Sequence, residues 1–75
     1  MKTQRMTKQV REMVTQTNNY LRRNHVKYMA DPRFHIMCDL LLDANCYHGF
    51  NYFTKDGRLS GGENENFDHL QIHIV

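Results

Sequence analysis

The chain has 75 residues, two cysteines and a net charge of +2, enough for one domain whose core supplies roughly 3–5 kcal/mol of net stability. Two cysteines are too few for a disulfide scaffold, no long apolar leader precedes them, and apolar runs such as Leu40–Leu42 fall far short of the ~20 residues that a membrane helix requires. The expectation is a reduced, cytoplasmic protein that gains from self-association or a partner.

Charge is polarised along the chain. Lys2, Arg5, Lys8, Arg11, Arg22, Arg23 and Lys27 face one acid, Glu12, giving +6 over the first 28 residues, while the remainder carries −4. Such polarity points to a basic face for an anionic partner or to complementarity with another protein.

From about Thr3 to Asn24, Met6, Val10, Met13, Val14, Tyr20 and Leu21 recur at three and four residues with Thr17 in the same sector, predicting an amphipathic helix of about six turns. Lys8, Arg11 and Arg22 fall on its opposite side, flanked by Arg5, Arg23 and Glu12. Residues 1 to 5 are expected to fray. After a connection to Ala30 comes the organising stretch, Asp31 to Cys46. Asp31 is a good N-cap, Pro32 is pre-set for the first helical position and Asn45 suits the stop, so a helix is expected from Pro32 to about Ala44. Phe34, Met37, Cys38, Leu41 and Leu42 share one face, but Ile36 and Leu40 fall nearly opposite, leaving Arg33, His35, Asp39 and Asp43 as the polar remainder. A helix apolar on most of its circumference must be covered from more than one side, by the segments before and after it or by a second copy of the molecule.

Beyond Cys46 the residues become aromatic and strand-prone, and Asp56-Gly57 favours a tight turn, predicting a hairpin of Tyr47–Lys55 with Arg58–Ser60. Alternation sends Phe50 and Tyr52 to one face and Tyr47, Asn51 and Phe53 to the other. The polar loop from Gly61 to Asn66 is expected to be the most mobile interior segment. Phe67–Val75 alternates cleanly, with Leu70, Ile72 and Ile74 against His69, Gln71 and His73, as a half-buried strand does. Lying at a sheet edge, such a strand offers itself for pairing with another chain. The expected fold is α+β, two N-terminal helices packed on a small antiparallel three-stranded sheet in the order α-α-β-β-β.

No chemistry-bearing motif emerges. Five histidines and two cysteines are zinc-ligand types, but neither Cys-x-x-Cys nor a helical His-x-x-x-His is present, so exposed histidines and a structural thiol are the favoured reading. Cys46 and His48 lack a group to orient the imidazole. Gly57, Gly61 and Gly62 are followed by acids rather than by a helix start with a lysine, which excludes a phosphate loop. No catalytic residue, metal ligand or cofactor is assigned. The alternative binding class is nucleic acid, along Arg5, Lys8, Arg11, Arg22, Arg23 and Lys27, or on the hairpin rings as a base-stacking platform. The preferred reading is a protein contact through Ile36, Leu40, Tyr47, Phe50, Tyr52 and Phe53, more apolar surface than so small a core needs.

The segment Asn45-Cys46-Tyr47-His48-Gly49-Phe50-Asn51-Tyr52-Phe53, with Phe67-Asp68-His69-Leu70, resembles short uncharacterised open reading frames of tailed bacteriophages. The resemblance covers roughly the C-terminal half and carries no motif of known chemistry. It implies a phage accessory protein, made in the infected bacterium, that binds and diverts a host or viral protein.

Overall fold

A computed structural model describes residues 7–61 and 67–75 of the chain. The expectations for a frayed start at residues 1 to 5 and for most of the loop from Gly61 to Asn66 lie outside the described residues. Two helices, α1 (Lys8–Arg23) and α2 (Pro32–Asp43), precede two strands, β1 (His48–Phe53) and β2 (His69–Ile74). Both helices begin on the caps their sequences carry. Val10 N–H donates to Thr7 Oγ1 at 3.1 Å, and Asp31 Oδ1 accepts from Arg33 N–H at 2.9 Å and Phe34 N–H at 3.3 Å.

Both also end the same way. Val26 N–H reaches back to Leu21 C=O at 3.0 Å and Cys46 N–H to Leu41 C=O at 2.9 Å, each across a residue in the left-handed region, His25 at φ 53° and Asn45 at φ 61°. These are Schellman closures, which satisfy helix-end carbonyls and turn the chain sharply. In each, the residue beyond the turn is buried against the last inward leucine, Val26 against Leu21 and Cys46 against Leu41. The two leucines are fully buried, so each closure is also a core contact.

The strands form an antiparallel pair in which Phe50 stands opposite Ile72 and Tyr52 opposite Leu70. Here the structure differs from the expected three strands. Among the described residues the sheet has two, and the 58–60 segment contributes an isolated bridge, Phe53 to Leu59. The turn does form. Thr54 N–H donates to Arg58 C=O and Ser60 N–H to Tyr52 C=O, both at 2.8 Å, and within this turn it is Gly57 that takes positive φ, at 86°. The segment stops there because its one apolar side chain, Leu59, stays exposed and no burial extends the ladder.

The sheet face bearing Phe50, Tyr52, Leu70 and Ile72 meets the helices. Val14 and Leu21 of α1, Phe34, Met37 and Leu41 of α2, and Leu70 and Ile72 of β2 enclose the core. An aromatic row runs along it: Phe34 edge-on to Phe50 at 5.8 Å, Phe50 to Tyr52 at 5.7 Å, Tyr52 to Phe67 at 4.8 Å.

The outer edge of β2, expected to be open for pairing, is occupied. Asn18 on α1 donates from Nδ2 to Ile72 C=O at 2.9 Å while its Oδ1 accepts from Ile72 N–H at 2.8 Å, and Val26 C=O accepts from Leu70 N–H at 2.9 Å. One carboxamide therefore takes both ladder positions of a strand residue.

Candidate functional site

The apolar surplus read from the sequence separates into a part the fold uses and a part it leaves outside. Phe50 and Tyr52 belong to the aromatic row and are packed against the core, and Phe53 stacks on the His69 ring at 5.9 Å. All three rings are half-buried, engaged within the monomer without being enclosed by it. Tyr47, just before β1, is 72% exposed. Ile36 and Leu40 on α2 remain 55% and 39% exposed.

These two side chains rim a groove between the helices. Arg33 lies over Tyr20 of α1, and Ile36 and Leu40 share the groove with Met13, Gln16 and Thr17. The groove, of about 140 Å³, is lined by Met13, Gln16 and Thr17 of α1 and by Arg33, Ile36, Met37 and Leu40 of α2. At its far end opens a polar recess of about 340 Å³, lined by Gln16, Asn19, Tyr20, Arg23, Asn24 and Arg33. Gln16 and Arg33 belong to both. The Arg33 guanidinium sits 4.7 Å from the Tyr20 ring centroid, a cation–π contact that holds it at the junction. From the sequence, Arg33 falls in the polar remainder of α2 and Met13 in the apolar stripe of α1. The spacing of Arg33 from Ile36 and Leu40 was the available signal for placing it on this face.

The basic residues do not form one surface. Lys8, Arg11 and Arg22 share a sector of α1, with Arg22 Nη2 donating to Asn19 Oδ1 at 3.3 Å. Arg23 turns into the polar recess, while Lys27 places its ammonium 5.7 Å from the Phe67 ring centroid. Arg5 lies outside the described residues. Among the described residues every ion pair joins a histidine to an aspartate, and none joins a lysine or arginine to a carboxylate.

Those histidines are structurally committed. Asp68 accepts from His69 Nδ1 at 2.8 Å and pairs with His25 Nδ1 at 2.9 Å, tying the end of α1 to the start of β2. His69 is 1% exposed, and its Nε2 faces the Gln71 amide nitrogen at 3.2 Å. That amide can only donate, so the His69 Nδ1 carries the proton given to Asp68. Hydrogen bonding from His69 above all holds the Asp68 carboxyl below its ordinary range; desolvation opposes it, and the hydrogen bond and charge of His25 add to the lowering. His73 Nδ1 pairs with Asn51 Nδ2 at 3.0 Å. His48 Nδ1 bonds the Cys46 carbonyl at 3.0 Å, not the thiol. Burial first, then the neighbouring Asp39, pushes the Cys38 thiol up, which favours the unreactive protonated form.

Among the described residues no group of three histidine, cysteine, aspartate or glutamate side chains is placed to hold a metal ion, and no helix is long and apolar enough to cross a membrane. Comparison of the chain with protein-family models, with curated proteins and with solved structures finds no match to any of them.

Proposed function

We propose that this chain is a small non-enzymatic accessory protein that works by binding protein, through the outer face of α2 and the groove beside α1. The observation that carries this reading is the exposure of Ile36 and Leu40 on the rim of an interhelical groove, apolar side chains that the core leaves unused. The resemblance to phage reading frames supports its placement in the cytoplasm of an infected bacterium, where it engages a host or viral protein. A photo-crosslinker installed at Ile36 tests the reading. Expected is a discrete crosslinked protein, this chain itself included, that disappears in Leu40→Glu with the helical circular dichroism intact. No crosslinked species at any concentration overturns it.

A second reading, nucleic-acid binding along Lys8, Arg11 and Arg22, is favoured by one observation, that no carboxylate neutralises these bases among the described residues. It requires affinity for DNA or RNA that falls steeply with salt and falls further in Arg11→Glu/Arg22→Glu. Salt-independent or absent binding removes it.

A further inference from the structure

Resting on the protein-binding reading, we infer that the occupant of the α2 face is a second copy of this chain, docked antiparallel about a two-fold axis at the level of Cys38. Arg33, Ile36, Leu40 and Asp43 follow one another at three, four and three residues. At 3.6 residues per turn they fall within about 80° of helix circumference, one continuous strip. All four are exposed. The strip is symmetric in position and antisymmetric in charge: Arg33 and Asp43 stand five residues to either side of Cys38, Ile36 and Leu40 two. Laid antiparallel on itself, it sets Ile36 against Leu40 of the second copy twice and Arg33 against Asp43 of the second copy twice. This is the self-complementarity that an isologous contact demands.

A second observation points the same way. Arg33 lies in the first turn of α2, which holds no acid apart from the capping Asp31 outside it, and Asp43 closes the last turn, which holds no base. Each charge therefore sits at the helix end whose dipole disfavours it. An antiparallel neighbour offers each the opposite charge and the opposite helix end together. Neither residue forms an ion pair within the described part of the chain. Asp39, the other acid next to the strip, is paired with His35 at 3.4 Å on the flank away from Leu40. Four side chains a copy, with Met13 and Gln16 at the margin, make an interface below the usual ~1,200 Å² of stable complexes, so the dimer is expected to be concentration-dependent.

Charge reversal tests this pairing against every other occupant. By sedimentation equilibrium the unmodified chain is expected to dimerise, and Arg33→Asp and Asp43→Arg are each expected to weaken that dimer at least about tenfold by setting like charges against each other twice. An equimolar mixture of the two variants is expected to associate again, since both cross-pairs are then attractive, and the double variant is expected to match the unmodified chain to within about threefold. Restoration by mixing also shows that neither variant is simply unfolded. A strict monomer at all concentrations, or variants that mixing and combination fail to rescue, overturns the inference. A monomer that still crosslinks a different protein from Ile36 overturns the two-fold pairing alone and leaves the binding reading standing.

Discussion

Asn18 and Asp68 show how much single side chains contribute to so small a fold. Replacing Asn18 with alanine leaves the N–H and C=O of Ile72 without their partner at a half-buried site, and the expected loss is about 1–3 kcal/mol, read as a lower denaturant midpoint with an unchanged slope. A loss below about 0.5 kcal/mol would mean that water replaces the amide without cost. Asp68 contributes to the acid limb. Its carboxyl is held below the unfolded value, so its contribution is fully present above the ordinary carboxylate pKa of about 3.9 and is lost as pH falls through the lowered folded value. Between about pH 5 and 2 the stability of the unmodified chain is therefore expected to fall more steeply than that of Asp68→Asn. Equal slopes in urea titrations at a series of pH values would remove Asp68 from the acid response.

At the scale of elements, the matched helix endings make a sharp comparison. Asn45 occupies a left-handed position that glycine adopts without strain, so Asn45→Gly is expected to raise stability by roughly 0.3–1 kcal/mol in thermal unfolding. His25→Gly relieves the same strain but removes the Asp68 partner, and is expected to gain less or to lose. Both helices were legible in the sequence, α2 from its Asp31-Pro32 start and α1 from the stripe of Val14, Thr17 and Leu21, but α1 was expected from about Thr3 and begins only at Lys8, where the Thr7 side chain caps it. His25 was not legible as a closure, since glycine and asparagine are the usual signals for that position, and it is fixed there by Val26 entering the core. The third strand failed because Arg58–Ser60 has turn chemistry in front of it but nothing apolar to bury. Ile36 and Leu40 could be placed outside the core by periodicity alone, but the same periodicity put Leu42 on the inward face with Leu41, and Leu42 is 66% exposed. Phe50 and Tyr52 could not be assigned, because alternation defines two faces of β1 without saying which one the helices cover.

For the molecule as a whole, the margin of stability sets what substitutions are tolerated. Leu41 is fully buried at the meeting of α2, its closure and the sheet, and Leu41→Ala is expected to cost about 2–5 kcal/mol. Against a total near 3–5 kcal/mol for a domain of this size, that variant is expected to be largely unfolded at 37 °C, with lost near-ultraviolet dichroism and no cooperative melt. A cooperative transition above that temperature would show that the core holds more than its size implies. The contrast with Leu40, its neighbour in sequence, is diagnostic: one leucine holds the monomer together and the next is available for contact with something else.

The carboxamide lodged against Ile72 also closes one margin of the sheet at its middle. A strand margin with vacant bonding positions adds copies in series and leads to fibres, whereas a helical strip closed by a two-fold axis stops at a pair. By filling those positions from within the same chain, Asn18 shuts the open-ended route at the middle of β2.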